Sequence, residues 1–189
     1  MNGREFFSKY KKLIVFLIGV YKLLPNKVSY FLYNVNRDRK SKMAMLIRFL
    51  FLKKYAKHCG MNIYIAPNVV IKNAQSITIG DNVSIHEFCY LDGYGEIIIE
   101  KNVSIAHGSS VISFNHSHLN RELPIKYNES LKGPILIKED VWVGCGVRIL
   151  ANSTIGNRVI IGANSVVTNA ILDSNKIYAG IPASFIKDI

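Results

Sequence analysis

The sequence predicts a mainly β fold, a three-sided coil of short strands preceded by an α-helical segment. The first observation is an aliphatic residue at every sixth position late in the chain: Ile137, Val143, Ile149, Ile155, Ile161 and Val167. The second is an internal repeat, in which ITIGDNVSI from residue 77, IIIEKNVSI from 97 and ILIKEDVWV from 135 align residue for residue. A period of six matches neither an amphipathic helix nor simple strand alternation, so it indicates a repeat architecture. The third is a basic, apolar segment before the repeat, which predicts helices.

The spacing of the repeat also predicts where the coil is interrupted. Three six-residue segments joined by tight corners return the chain above itself after about 18 residues, so inward aliphatic side chains stack into one column. The aligned segments start 20 and then 38 residues apart. The longer step predicts a loop extruded from the coil at about residues 113–134. Asn115, His116 and His118 lie in it, and loops on a rigid scaffold commonly carry function.

Residues 1–60 form a segment of different character from residues 61–189. They hold 14 Lys and Arg against Glu5 and Asp38, a net charge of +12, whereas residues 61–189 have a net charge of −1. The run LIVFLIGVYKLL is interrupted by Lys22 and stopped by Pro25, which makes it shorter than the roughly 20 apolar residues of a membrane span. We therefore expect two or three amphipathic helices. They either pack on the main domain or lie on an anionic membrane surface.

Composition and cysteine usage narrow the class of protein. No motif for nucleic-acid binding accompanies the basic segment, so we expect no nucleic-acid partner. The three cysteines, Cys59, Cys89 and Cys145, are an odd number without motif spacing, which is typical of reduced thiols in a cytoplasmic protein. No small-residue cleavage site follows the first apolar stretch, so a signal peptide fits poorly. We expect a cytoplasmic protein, with the inner face of the membrane as the alternative site for the basic helices.

Several motifs resemble those of one enzyme family. IGDNVSI, the Asn-His loop, VWVGCGVRILANSTIGNRVIIGANSVVTNAI and the terminal YAGIPASFI closely resemble the hexapeptide-repeat acyltransferases, left-handed β-helix enzymes, in their sugar O-acetyltransferase branch. The resemblance covers residues 61–189, while LLP and KKYAKHCG are similar to the N-terminal part of capsule and lipopolysaccharide O-acetyltransferases. It implies a left-handed parallel β-helix, acetyl-CoA as co-substrate, no required metal, and a homotrimer with the coenzyme groove between adjacent prisms.

By this resemblance His116 is the catalytic base. A sugar hydroxyl is a poor nucleophile at neutral pH, and an imidazole, which ordinarily titrates near pH 6.5, can accept its proton. Attack on the acetyl-CoA thioester would be direct, without an acyl-enzyme. Asn115 would hold the loop, and His118 would either assist on the acceptor side or be a surface residue.

The resemblance also implies a set of coenzyme-binding residues: Trp142, Gly144, Cys145, Ala163, Thr168 and Lys187. The backbone N–H of Cys145 would meet the thioester oxygen, which leaves its side chain incidental. Trp142 would wall the pantetheine or acceptor pocket, or else pack outward as an ordinary surface aromatic. Lys187 would meet a coenzyme phosphate, because Ser184 stands where the family has a basic residue.

The acceptor side departs from the family pattern. IHEFCYLDG offers His86 and Glu87 where family members often have Asn, so if either residue meets the acceptor, that acceptor would differ from a simple galactoside or maltose. Asp92 fits the LD element of the family, where it would orient His116, bind a sugar hydroxyl, or stabilise a corner of the prism. The sequence leaves open which hydroxyl is modified and whether the acyl group is larger than acetyl.

Two other classes of function compete with acyl transfer. One is a zinc enzyme of the β-helix carbonic anhydrase type, with ligands from His86, His107, His116 and His118, although their spacing is not that of the family. The other is a non-catalytic scaffold that uses the prism faces and the basic helices for assembly.

Overall fold

The computed structural model describes residues 3–168 and 171–189. In these ranges the chain forms helices α1 (Gly3–Leu23), α2 (Asn26–Asn36) and α3 (Lys42–Tyr55), followed by a parallel β-solenoid of about six coils. None of the helices in the described part of the chain combines the length and apolar character that crossing a bilayer requires.

The coils of the solenoid contribute their strands to three parallel sheets. Sheet A contains β1 (His58–Cys59), β4 (Ile77–Ile79), β7 (Ile97–Ile99), β12 (Ile135–Ile137), β15 (Thr154–Ile155) and β18 (Ile171–Leu172). Sheet B contains β2 (Tyr64–Ile65), β5 (Ser84–Ile85), β8 (Ser104–Ile105), β13 (Trp142–Val143), β16 (Ile160–Ile161), β19 (Lys176–Ala179) and the antiparallel β20 (Ser184–Asp188). Sheet C contains β3 (Val70–Lys72), β6 (Tyr90–Asp92), β9 (Ser110–Ile112), β14 (Arg148–Leu150) and β17 (Val166–Val167).

The interior is the predicted column of aliphatic side chains. All six residues of the period from Ile137 to Val167 are fully buried at 0% exposure, which confirms the predicted stacking. Parallel pairing keeps equivalent residues in register, for example Ile79 beside Ile99 and Ile99 beside Ile137. Each fully buried aliphatic side chain contributes about 1.5–3 kcal/mol. Because every coil covers the apolar face of the next, the solenoid is a rigid base for whatever it carries.

Asparagines stack at the corner between sheets A and B. Asn62, Asn82 and Asn102 have left-handed backbone conformations, with φ of 56°, 58° and 62°. The Asn62 amide donates to the Asn82 side chain at 2.8 Å, and the Asn82 amide donates to that of Asn102 at 3.2 Å. Asparagine tolerates this backbone region better than most residues, which explains why the repeat carries it there.

Arg48 of helix α3 joins the end of α2 to the solenoid. This side chain is 1% exposed, and burial lowers the pKa of its guanidinium. Its Nε donates to the Ile65 carbonyl at 2.9 Å, while Nη1 donates to the carbonyls of Asn36 at 2.7 Å and Arg39 at 2.8 Å. One guanidinium thus ties the end of α2 and the following turn to the first coil.

We expect Arg48→Met to lower the free energy of unfolding by at least about 2 kcal/mol, because it leaves buried carbonyls without donors. Arg39→Met makes the same chemical change on an exposed side chain, so it should change the free energy of unfolding by less than about 0.5 kcal/mol. Urea unfolding of both variants tests the assignment. Equal stability of the two variants would contradict it.

Candidate active site

The segment extruded from the solenoid is an ordered β-hairpin. Its strands β10 (Phe114–His116) and β11 (Ser130–Lys132) leave the corner between sheets C and A and pair antiparallel, with His116 opposite Ser130. Farther out, Asn128 is 8% exposed, and its amide donates to the carbonyls of Asn120, Leu123 and Pro124. These bonds close the tip of the segment, so the hairpin holds its side chains in a defined arrangement.

The hairpin presents His116 at an open pocket. The pocket is lined by Asn115, His116, Ser117, His118, Leu119 and Leu131. His116 is exposed, and its ring meets Phe114 edge to face at 6.1 Å between centroids. Phe114 in turn meets Tyr94 at 5.5 Å, and the ammonium of Lys132 lies 5.3 Å from the Tyr94 ring centroid. An exposed imidazole held by a packed aromatic neighbour can exchange protons with a molecule in the pocket.

Tyr94, Phe114 and Lys132 were not among the residues predicted for the site. Two of them could have been found from the sequence, because Tyr94 lies two positions after Asp92 and Phe114 lies two positions before His116. Both pairs lie where successive coils turn the same corner. Their contact depends on the pairing of β6 with β9, which a linear pattern does not display.

Asp92 lies at this corner, one coil before the hairpin, and its carboxylate is hydrogen-bonded to neighbours within the corner. It is 5% exposed, and its Oδ1 accepts hydrogen bonds from the Asn73 amide at 2.7 Å and the Tyr94 backbone N–H at 3.3 Å. Its Oδ2 accepts from the Tyr90 hydroxyl at 3.2 Å. These contacts support the corner-stabilising role among the three alternatives for Asp92.

The corner between sheets B and C holds three of the six residues predicted to bind coenzyme: Gly144, Cys145 and Ala163. Gly144 donates its N–H to Ile161 at 2.8 Å, and the Cys145 carbonyl accepts from Asn164 at 2.8 Å, so Cys145 lies one coil before Ala163. A Cβ on Gly144 would lie 2.7 Å from the backbone nitrogen of Ala163. Only glycine therefore allows the two coils to approach so closely here.

His86 and Glu87 lie at the same B–C corner, two coils before Cys145. The His86 ring meets Tyr64 at 5.7 Å, and its Nδ1 is 4.0 Å from a carboxylate oxygen of Glu87. The Glu87 carbonyl accepts a hydrogen bond from the backbone N–H of Gly108, which lies in the coil between those of Glu87 and Cys145.

Within one chain the predicted residues are therefore divided between two edges of sheet C. Asp92, Asn115, His116, His118 and Thr168 lie at the C–A corner. His86, Glu87, Gly144, Cys145 and Ala163 lie at the B–C corner. Trp142 is 55% exposed on sheet B, and Lys187 is exposed on β20 at the end of that sheet, opposite Ile177.

The histidines of the zinc alternative are divided in the same way. His86 and His107 lie at the B–C corner, whereas His116 and His118 lie on the hairpin. Among residues 3–168 and 171–189, His, Cys, Asp and Glu form no group of three or more that could hold a metal ion.

Comparisons with known proteins identify the repeat and the fold. The family model "Bacterial transferase hexapeptide (six repeats)" matches residues 134–169. Galactoside O-acetyltransferase of Escherichia coli K12 is 33% identical over 132 residues, which are 70% of this chain and 54% of that protein. The protein named "Putative lipopolysaccharide biosynthesis O-acetyl transferase WbbJ" of E. coli K12 is 29% identical over 118 residues, 59% of this chain and 60% of that protein.

A solved structure extends the similarity to most of the chain. A galactoside acetyltransferase in complex with coenzyme A superposes with a TM-score of 0.75 at 26% identity, covering 90% of this chain and 82% of that one. The chain spans less than two thirds of the length of the two curated relatives. Together the matches confirm the predicted resemblance to hexapeptide-repeat acyltransferases and the predicted fold, a left-handed parallel β-helix with an N-terminal helical segment.

The three free cysteines differ in burial, which predicts their reactivity. Cys59 and Cys89 are buried, and burial raises the pKa of Cys59 to about 11 and also raises that of Cys89. Cys145 is only half-buried.

Because the thiolate is the reactive form, we expect a thiol-specific reagent at pH 8 to modify Cys145 rapidly and the other two slowly. Cys145→Ser should remove the rapid phase while Cys89→Ser keeps it; rapid loss of two or three thiols from the folded protein would contradict the assignment.

Proposed function

We propose that this hexapeptide-repeat protein is an acetyl-CoA-dependent O-acetyltransferase that acts on a hydroxyl of a sugar or of a surface-polysaccharide precursor. The observation that carries the proposal is His116, exposed at an open pocket on an ordered hairpin of the solenoid. The similarity to a galactoside acetyltransferase that binds coenzyme A supports the co-substrate. The similarity to galactoside O-acetyltransferase and WbbJ supports a sugar acceptor.

In the proposed reaction His116 is the general base. One ring nitrogen accepts the proton of the acceptor hydroxyl as that oxygen attacks the thioester carbonyl. The new C–O bond forms, the C–S bond breaks, and the imidazolium returns the proton to the departing thiolate. The backbone N–H of Cys145 would donate to the carbonyl oxygen as its negative charge develops. Phe114 would keep the imidazole in place, since its ring packs against that of His116.

We propose further that the complete site forms between copies of the chain, in a homotrimer. His116 and the Cys145 corner lie at opposite edges of sheet C, so one chain alone does not bring them together. In a cyclic trimer, the C–A corner of one subunit can face the B–C corner of its neighbour. His116 of one subunit would then meet the thioester held along Gly144, Cys145 and Ala163 of the next.

The acceptor would lie where the hairpin of one subunit approaches the B–C corner of the next. His86 and Glu87 offer a hydrogen-bonding pair there, His118 and Asn115 line the pocket beside the base, and Trp142 and Thr168 would wall the groove. Lys187 would meet a coenzyme phosphate. We place the enzyme in the cytoplasm, with residues 1–60 in contact with the inner face of the membrane, where a lipid-linked acceptor would be available.

Replacing the base tests the catalytic role. We expect His116→Ala to lower acetyl transfer about 10²–10⁴-fold while leaving the affinity for acetyl-CoA near wild type. His58→Ala removes an exposed histidine on β1 and should leave turnover unchanged. Turnover should be measured against free, nucleotide-linked and lipid-linked sugars, with thermal unfolding as the folding control. Wild-type turnover in His116→Ala would contradict the assignment.

Mixing inactive variants tests the shared site. His116→Ala lacks the base, and Ala163→Trp should block the coenzyme corner of the same chain. In co-expressed mixed trimers, about one interface in four pairs an intact His116 with an intact corner, so about a quarter of wild-type activity should return. Each variant must first be shown to form the same oligomer as wild type. A site contained within one chain would recover no activity on mixing.

A further inference from the structure

Helices α1 and α2 each bury one face against their neighbours. On α1, Ile14 and Tyr21 are buried, and the Tyr21 hydroxyl donates to the Ser29 carbonyl of α2 at 3.0 Å. On α2, Tyr33 stacks on Phe51 of α3 at 4.0 Å between ring centroids. The inward faces thus account for the attachment of both helices to the rest of the chain.

The opposite faces of the two helices are also apolar, and they are exposed. On α1, the exposed residues follow helical spacing, with Leu13 at 53%, Phe16 at 66%, Val20 at 45% and Leu23 at 86%. On α2 the spacing repeats, with Val28 at 42%, Phe31 at 64% and Val35 at 38%. We call these seven residues the outer face. Residues three and four apart in a helix share a side, so each helix presents a continuous apolar stripe, which calls for a binding partner.

The charge around the outer face is predominantly positive. Residues 9–57 contain 13 Lys and Arg and a single acidic residue, Asp38. Lys9 and Lys12 are exposed one turn before Leu13 and Phe16, and Lys27 is exposed one turn before Phe31. Apolar stripes flanked by lysines are complementary, in polarity and in charge, to a bilayer with an apolar interior and anionic headgroups.

The geometry points to the outer face as a docking surface for an anionic lipid bilayer. The aromatic and aliphatic side chains would enter the boundary between headgroups and acyl chains, while the lysines would contact lipid phosphates. A second copy of the same face is a poorer partner, because it would bring like charges together with only Glu5 and Asp38 in each helical segment to offset them. The inference rests on the membrane contact proposed above for residues 1–60, and because it concerns binding alone, it holds or fails separately from acyl transfer.

The direct test is binding of the full chain to vesicles of phosphatidylglycerol and phosphatidylcholine in about equal parts, compared with phosphatidylcholine alone. We expect binding to the anionic vesicles that weakens as salt is raised. Phe16→Ser combined with Phe31→Ser should weaken binding at least about tenfold, since two large apolar side chains no longer insert. Lys12→Gln and Lys27→Gln should each weaken it about fivefold.

A matched control distinguishes binding through the outer face from nonspecific adsorption through any exposed aromatic side chain. Phe185 on β20 is 52% exposed at the end of the solenoid opposite the helices, so Phe185→Ser should bind vesicles like wild type. Thermal unfolding checks that the exposed substitutions leave the fold intact. No binding by the wild-type chain, or equal binding by the Phe16/Phe31 variant, overturns the inference. The inference is also overturned if the protein binds no vesicles and its oligomer dissociates in the Phe16/Phe31 variant. The outer face would then be a contact between copies of the chain.

Discussion

The stacking of aliphatic side chains inside the solenoid is the constraint on which the rest of the structure depends. Each inward position receives a fully buried residue from every coil between the first and the last, and parallel pairing holds these residues in register. A one-residue slip would turn an entire apolar set outward, so the register is strongly specified. This rigidity lets the chain extrude a hairpin between β9 and β12 without losing the alignment of the coils on either side.

The same constraint fixes what the candidate site can and cannot do within one chain. Coils stack with little lateral freedom, so residues at the C–A corner and residues at the B–C corner remain separated by the width of sheet C. The hairpin carries His116 away from the column, while Gly144 and Cys145 stay in the close packing of their corner. Bringing base and thioester together then depends on how copies of the prism associate. The helical segment is joined to the first coil by Arg48, and its outer face gives the protein a second surface with a different chemistry.

Much of the fold was predictable because the repeat is local and regular. The period from Ile137 to Val167 identified the column, and the unequal steps between aligned segments located the extruded segment that carries His116. The hairpin itself was not predictable, since the pairing of His116 with Ser130 and the bonds of Asn128 join residues whose sequence has no period. The anchoring role of Arg48 was also hidden, because an arginine among many basic residues gives no sign that its partners are backbone carbonyls. The sequence identified the candidate residues but did not show that they lie at two different corners. Their division between the C–A and B–C corners depends on how the coils stack.

The most direct measurement of the central claim is a crystal structure of the full chain with coenzyme A bound. The account predicts that the coenzyme lies between two subunits, its sulfur within about 3–4 Å of the His116 ring of one and beside Cys145 and Ala163 of the other. A coenzyme bound within a single subunit, or a sulfur atom far from every His116 ring, would contradict it.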